Sequence, residues 1–166
     1  MKPQQDVVHE QDVFVWHPKI TRNADFQLVK VVRVCYYTSV VGDEQQVIEV
    51  KRKLARIQFD TMADYGGMSG QIGPVVFKKP SKSQKTRNID VQIVIDVMRF
   101  AFTDEIDRVY LASGDGDYLP LIQEVMRCGK QVDLLAFSSG LNNALPYSVD
   151  NFFNLDPVFF RGESDG

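Results

Sequence analysis

The sequence has few of the features that are typical of secreted proteins, of proteins stabilised by a structural metal, or of membrane proteins. It contains two cysteines in 166 residues and no C-x-x-C pair, so we expect Cys35 and Cys128 to be buried, reduced thiols. No apolar run approaches the ~20 residues of a membrane span. The N-terminus lacks the apolar core of a signal peptide. These absences predict a cytoplasmic protein that needs neither disulfides nor a membrane partner.

The sequence also lacks an excess of basic charge. It lacks the common motifs for nucleotide binding and for a nucleophilic serine. The formal net charge is −3, so the chain as a whole is not a polycation that coats nucleic acid, and any such contact requires a local basic patch. There is no P-loop and no G-x-S-x-G. What is present, 44% apolar and 25% charged residues, is typical of one soluble globular domain.

The first half of the chain predicts several strands and one helix. Residues 28–41 are rich in β-branched and aromatic side chains, which predicts a strand. An apolar residue recurs every three or four positions over 44–56, and Asp43 with Gln46 has the form of a capping box, which predicts an amphipathic helix. Shorter strands are predicted at 12–16, 56–62 and 74–77.

The second half alternates helices and strands. A helix over 90–102 is predicted from an apolar stripe formed by Val91, Val94, Ile95, Met98, Ala101 and Phe102. The elements predicted after it are a strand at 108–112, a helix at 117–128, a strand at 131–137, a short helix near 140–146 and a strand at 152–155. This alternation indicates right-handed crossovers and a parallel sheet, in which sites form beyond the carboxyl ends of the strands.

Three aspartates are the strongest candidates for chemistry. Asp115 and Asp117 follow a predicted buried strand, and Asp90 begins the preceding helix. In a parallel sheet the three carboxylates can converge at one edge, where they would suit Mg²⁺ or Mn²⁺. A metal so placed activates water and neutralises charge on a phosphate. The alternative is that Asp115 and Asp117 are ordinary turn and cap residues and that Asp90 only caps its helix.

A basic segment directly precedes Asp90. Residues 78–87 contain no acidic residue and five cations, namely Lys78, Lys79, Lys82, Lys85 and Arg87. These side chains could hold a phosphate backbone and steer RNA toward the aspartates. The alternative is a solvated flexible loop. Tyr36 and Tyr37 could likewise stack on bases, or they could serve packing at the end of a strand.

The stretch 85–155 resembles an NYN domain of the LabA-like type, in the PIN-like nuclease superfamily. The resemblance rests on 87–91 (RNIDV), 113–121 (SGDGDYLPL) and 129–132 (GKQV), with support from 33–37, Asn142, Leu145 and 150–155. It implies an α/β, Rossmann-like three-layer domain with a mostly parallel central sheet. It also implies metal-dependent RNA cleavage, with Asp90, Asp115 and Asp117 as catalytic metal ligands and Ser113 orienting a carboxylate or touching the phosphate.

One feature of that family has no counterpart in the sequence. The family begins with an apolar strand that ends in an aspartate, whereas the run at 12–16 ends in Trp16 and His17. We therefore expect a divergent or truncated segment at 1–27, the NYN domain at 28–156 and a tail at 157–166. The leading hypothesis is a metal-dependent ribonuclease, a hydrolase. The alternative is a catalytically impaired module that binds RNA or a protein partner, and a homo-oligomer is left open.

Overall fold

The protein has a mixed α/β fold in which helices alternate with parallel strands, which confirms the predicted fold class. The computed structural model describes residues 6–21, 31–59, 70–82 and 87–160. The chain divides into two compact units, whose described parts are residues 6–91 and residues 92–160. Within these described ranges, no helix is both long and apolar enough to cross a membrane. The predicted division into segments 1–27, 28–156 and 157–166 stays a prediction.

The first unit contains short β-ladders and one amphipathic helix. Its strands are β1 (Val8–Glu10), β2 (Phe14–Trp16), β3 (Cys35–Val41), β4 (Gln58–Phe59), β5 (Gly70–Gln71) and β6 (Gly73–Lys79). β1 pairs with β2, and β4 with β5, in antiparallel fashion, whereas β3 and β6 run parallel from Cys35 opposite Gly73 to Val41 opposite Lys79. Helix α1 (Glu44–Ala55) connects the parallel pair.

Helix α1 forms for the local reasons read from the sequence. The backbone N–H of Gln46 donates to the Asp43 carboxylate, and the Asp43 N–H donates to the Gln46 side chain, which completes the capping box. The apolar stripe of the helix then buries Val47, Val50 and Leu54 in a cluster with residues of β2, β3 and β6. The predicted helix over 44–56 is confirmed.

The strand predicted over 28–41 is shorter in the structure. Residues 31–34 are described but lie outside any strand, and β3 begins at Cys35. The start of β3 is set by its parallel partner. β6 begins at Gly73, opposite Cys35, so the residues before Cys35 have no part of β6 to pair with. Neither Cys35 nor Cys128 forms a disulfide, and both are half-buried rather than buried as the sequence predicts.

Helix α2 (Arg87–Phe102) buries a different face from the predicted stripe. Ile93, Val97 and Met98 pack against the core of the second unit, whereas Val91 is 57% and Phe102 71% exposed. The stripe correctly indicates a helix, but most of its members do not lie on the face that packs. The physical reason is that this helix is apolar on two neighbouring faces, so periodicity alone does not select the one that packs.

The second unit is a parallel sheet covered by helices. Its elements are β7 (Arg108–Ala112), a 3-10 turn (Gly116–Tyr118), α3 (Leu119–Arg127), β8 (Gln131–Ala136), a second 3-10 turn (Leu145–Tyr147), β9 (Asn151–Asn154) and α4 (Asp156–Phe159). The strand order is β7-β8-β9, and both pairs are parallel. One face carries the core formed by Leu111, Tyr118, Leu121, Ile122, Val125, Val132, Leu134 and Leu145.

The predicted helix near 140–146 is only the 3-10 turn Leu145–Tyr147. Two local features limit it. The Asn142 side chain accepts a hydrogen bond from the Ala144 N–H, which forms a turn in place of the first helical bonds. Farther on, Asp150 is tied to Val132 of β8 through its own N–H and through its carboxylate, which fixes the start of β9.

The opposite face of the second sheet contains a buried polar row. Asp133 on β8 is fully buried and accepts hydrogen bonds of 2.8 Å from Arg108 on β7 and from Asn151 on β9. Tyr110 is paired with Asp133 in the ladder. Burial, and then the neighbouring Asp133 carboxylate, raise the pKa of the Tyr110 phenol. The charge of Asp133 is thus compensated inside the sheet.

Candidate carboxylate site

The loop after β7 places two carboxylates at the carboxyl end of a parallel strand. The N–H of Asp115 donates to the Ser113 hydroxyl oxygen at 3.2 Å, and the N–H of Asp117 donates to Asp115 Oδ1 at 3.0 Å. Asp115 is thereby the N-cap of the 3-10 turn that leads into α3. Two local hydrogen bonds therefore fix the backbone between the two carboxylates, and Ser113 takes part through its contact with the Asp115 N–H.

Both carboxylates remain available to a cation. Asp115 and Asp117 are exposed, and the turn uses only one oxygen of Asp115. From the residues that the structure describes, neither the second oxygen of Asp115 nor the Asp117 carboxylate receives a hydrogen bond or an ion pair. The cap role and a ligand role for Asp115 are thus compatible, because they involve different oxygens.

The loop that follows β8 packs directly onto this carboxylate loop. The Asn142 N–H donates to the Gly114 carbonyl at 2.9 Å. A Cβ on Gly114 would lie 3.1 Å from the Gly140 carbonyl oxygen, and a Cβ on Gly116 would lie 2.3 Å from Asn142 Nδ2. Only glycine fits at Gly116 without a shift of Asn142. The two glycines therefore serve the close approach of two loops as well as the turn.

Sequence reasoning missed the part that Asn142 plays in this site. The residue stood out only as part of the family resemblance, although a Gly-x-Asn sequence after a buried strand is a turn signal that could have marked it. It also missed Asp156, which follows β9 and whose carboxylate accepts from the Ser138 N–H at 3.3 Å. The carboxyl ends of all three strands thus carry polar side chains.

Asp90 is exposed and lies in the first turn of α2, which begins at Arg87 rather than at Asp90 as the sequence predicts. It belongs to the unit that spans residues 6–91, whereas Asp115 and Asp117 belong to the unit that spans 92–160. In the described part of the chain, no group of three or more His, Cys, Asp or Glu side chains is arranged to hold a metal ion. The structure brings Asp115 and Asp117 together, and Asp90 as a third ligand stays a prediction.

The two ends of the basic segment belong to regular elements, whereas residues 83–86 lie outside the described residues. Lys78 and Lys79 are the last residues of β6, and Arg87 is the first residue of α2. These ends are ordered because each belongs to a regular element. Lys82 is exposed and forms a 2.9 Å ion pair with Asp12, and Lys85 lies outside the described residues.

The structure supports the packing role for Tyr36. Its hydroxyl accepts from the Val15 N–H at 3.0 Å and donates to the Val15 carbonyl at 3.1 Å. Its ring meets Phe14 edge to face, with centroids 6.3 Å apart. Burial raises the pKa of the Tyr36 phenol. A ring held in this way joins β2 to β3 and does not present a face for stacking.

Comparison with known proteins gives one family and two similar proteins. The family model described as the NYN domain matches residues 9–156. The uncharacterized protein MJ0482 of Methanocaldococcus jannaschii is 26% identical over 72 residues, which cover 43% of this chain and 30% of that protein. The chain therefore spans less than a third of that relative. A crystal structure of VPA0982, a protein of unknown function from Vibrio parahaemolyticus, has a TM-score of 0.61 at 23% identity and covers 86% of this chain and 79% of its own. This likeness shows the fold.

Proposed function

We propose that this chain, which belongs to the NYN domain family of PIN-like nucleases, is a metal-dependent ribonuclease of the LabA-like type that hydrolyses RNA phosphodiester bonds. The observation that carries the proposal is the pair of exposed carboxylates, Asp115 and Asp117, at the carboxyl end of β7. Sites in parallel α/β sheets form at this edge, and carboxylates there can hold a divalent ion that supports hydrolysis of a phosphodiester.

The side chains of this loop fit a hydrated Mg²⁺ or Mn²⁺ ion. Such ions prefer hard oxygen ligands, keep several waters, and commonly bind through one or two protein carboxylates together with substrate phosphate oxygens. The uncommitted oxygen of Asp115 and the Asp117 carboxylate supply such donors. The bound ion would supply an activated water and positive charge for the phosphate. Asp90 is the third ligand that the family resemblance predicts.

The residues of the chain have distinct roles in this proposal. Asp115 and Asp117 supply the carboxylates, and hydrogen bonds from their backbone N–H groups to Ser113 and to Asp115 fix the loop that carries them. The glycines allow the loop after β8 to pack directly against the carboxylate loop. Asn142 positions the loop from the side through its N–H to the Gly114 carbonyl.

The basic residues at the end of β6 are proposed to bind the RNA backbone. Lys78 and Lys79 extend β6 to its carboxyl end, and Lys82 follows in the same segment. The ion pair of Lys82 with Asp12 joins two exposed side chains, and such pairs contribute only about 0–1 kcal/mol. An RNA phosphate can therefore replace Asp12 with little loss, and counterion release from RNA favours the exchange.

The test is cleavage of an end-labelled RNA oligonucleotide by the purified full chain. We expect products in Mn²⁺ or Mg²⁺ and none after removal of divalent ions by EDTA, with activity restored when Mn²⁺ is returned in excess. Cleavage that is unchanged in EDTA would contradict a metal-dependent mechanism. Absence of cleavage in every condition, with RNA still bound, would favour an NYN module that only binds RNA.

A further inference from the structure

One amide on the loop after β8 lies directly against the carboxylate loop. Asn142 is exposed, and a Cβ added to Gly116 would lie 2.3 Å from its Nδ2 atom and 2.8 Å from its Cγ. Gly116 separates Asp115 from Asp117 along the chain. The side-chain amide of Asn142 therefore lies next to the backbone that carries both candidate metal ligands.

Three hydrogen bonds fix the orientation of this amide. The Asn142 N–H donates to the Gly114 carbonyl at 2.9 Å, and the Asn142 carbonyl accepts from the Leu145 N–H at 3.1 Å. The Oδ1 atom accepts from the Ala144 N–H at 2.9 Å. Because a backbone N–H can only donate, this last bond assigns oxygen to the side of Ala144 and leaves Nδ2 on the side of Gly116.

The Nδ2 group has donor capacity that the fold does not use. An amide nitrogen carries two protons, and among the residues that the structure describes it donates to no acceptor. Since the side chain is exposed, a ligand at the carboxylate loop can accept from it in place of water.

The chemistry of this position favours an anionic oxygen as the acceptor. A divalent ion on Asp115 and Asp117 would hold phosphate oxygens beside it. A cationic side chain at residue 142 would form ion pairs with those carboxylates, whereas a neutral amide does not, and residues 138–149 contain no charged residue. Fixed amide donors also stabilise negative charge that develops on an oxygen during a reaction.

We infer that Asn142 Nδ2 donates a hydrogen bond to a non-bridging oxygen of the RNA phosphate at the carboxylate loop. The inference rests on the proposed function. Because the contact is with a phosphate, it contributes equally for every RNA sequence. It strengthens as negative charge gathers on the phosphate oxygens, so it stabilises the transition state more than the bound substrate.

The experiment is single-turnover cleavage of an end-labelled RNA in Mn²⁺. The proteins are the wild type, Asn142→Ala and a matched control, Asn143→Ala, which removes the neighbouring exposed amide. Asn142→Ala should lower the rate at saturating protein about tenfold or more, and Asn143→Ala should cleave like the wild type. A second variant, Asn142→Asp, keeps the acceptor for the Ala144 N–H but lacks the donor, and it should be at least as slow.

Sulfur in the RNA distinguishes a phosphate contact from a packing role. The substrates carry, at the linkage that the wild type cleaves, a normal phosphate or a sulfur in place of either non-bridging oxygen. Sulfur is the weaker acceptor, so one of the two sulfur positions should slow the wild type and slow Asn142→Ala much less. Any effect of sulfur on the metal is common to both proteins and cancels in this comparison.

The affinity of the protein for Mn²⁺ without RNA gives a readout that is independent of cleavage. An amide donor is not a metal ligand, and Asp115 and Asp117 remain in the variant. Titration calorimetry should therefore give the same Mn²⁺ affinity for the wild type and Asn142→Ala.

Three results would overturn the inference and leave the proposed function intact. Cleavage by Asn142→Ala at the wild-type rate would exclude the contact. Slow cleavage with the same sulfur effects as in the wild type would assign Asn142 to loop packing alone, and a weaker Mn²⁺ affinity would assign it to the metal site. A wild type that cleaves no RNA in Mn²⁺ or Mg²⁺ would contradict the proposed function, and the inference with it.

Discussion

At the scale of single residues, the carboxylate loop depends on how closely Asn142 approaches Gly116. A methyl group at residue 116 would lie 2.3 Å from Asn142 Nδ2 and 2.8 Å from its Cγ. Asn142 cannot turn away without loss of the hydrogen bond that it accepts from the Ala144 N–H. This geometry links the two loops and makes a sterically defined prediction possible.

We expect Gly116→Ala to lower the free energy of unfolding by about 1–3 kcal/mol, because a methyl group is forced into a packed region. Urea denaturation measures the change. The double variant Gly116→Ala with Asn142→Ala removes the atoms that collide, so its loss should be smaller than the sum of the two single losses. Strict additivity would show that Asn142 is not what the methyl group meets.

Tyr110 gives a second prediction, on the dependence of stability on pH. Burial and the nearby Asp133 carboxylate raise its pKa above the ordinary value of 10.0. Because the folded-state pKa is raised, the protonated phenol contributes its full stabilisation at pH values below the unfolded-state pKa. This contribution is lost as the pH rises through the folded-state pKa. Stability should therefore fall as the pH is raised through and beyond about 10.

The measurement is the urea midpoint at a series of pH values from about 8 to 11. Tyr110→Phe removes the ionisable hydroxyl, so the alkaline fall of the midpoint should become shallower. Part of the fall should remain, because burial also raises the pKa of Tyr36. An identical alkaline fall in Tyr110→Phe and the wild type would remove Tyr110 as a cause.

At the scale of elements, the end of β6 is the part to which the proposed function assigns RNA binding. Lys78 is exposed at that end, and Lys82 beyond it is exposed and forms a surface ion pair with Asp12. The variant Lys78→Ala with Lys82→Ala should weaken RNA binding. It should also reduce the slope of log affinity against log salt by about 0.7 for each phosphate of a single strand that the variant no longer neutralises.

A matched control is Lys53→Ala on α1. Lys53 is also exposed and forms a similar ion pair, at 2.8 Å with Glu10, but it lies outside the basic segment. Binding titrations at several salt concentrations should show a smaller slope for the double variant alone. Equal salt slopes for all three proteins would indicate that residues 78–87 form a solvated surface that makes no phosphate contact.

Elements whose bounds depend on local chemistry were predictable from the sequence. The capping box at Asp43 and the apolar residues at every third or fourth position define α1, and β7 (Arg108–Ala112) has the predicted bounds. Bounds set by a distant partner were not predictable, as the start of β3 opposite Gly73 shows. The packed face of α2 was missed for a related reason, since only tertiary contacts distinguish its two apolar faces.

The same distinction applies to the candidate site, in which local features were predictable from the sequence and contacts between loops were not. Asp115 and Asp117 are two positions apart on one turn, so their proximity follows from the chain itself. The contribution of Asn142 depends on the approach of a loop from another strand, which spacing along the sequence does not reveal. Asp90 as a third ligand stays a prediction, because it belongs to the other compact unit.

At the scale of the whole molecule, the central claim is that the carboxylate at residue 115 serves a metal in addition to its turn. Asp115→Asn separates the two roles. Asparagine is as good an N-cap as aspartate, so the turn and the fold should persist, whereas an uncharged amide is a poor ligand for a hard cation. Asp43→Asn is the matched control, because Asp43 caps α1 in the same way and has no proposed part in catalysis.

The most direct measurement is therefore the rate of RNA cleavage in Mn²⁺ by the wild type, Asp115→Asn and Asp43→Asn, each with and without EDTA. The account predicts cleavage by the wild type and Asp43→Asn in Mn²⁺, no cleavage in EDTA, and a loss of at least about a hundredfold in Asp115→Asn, with circular dichroism spectra that superimpose. Cleavage by Asp115→Asn at the wild-type rate would contradict it.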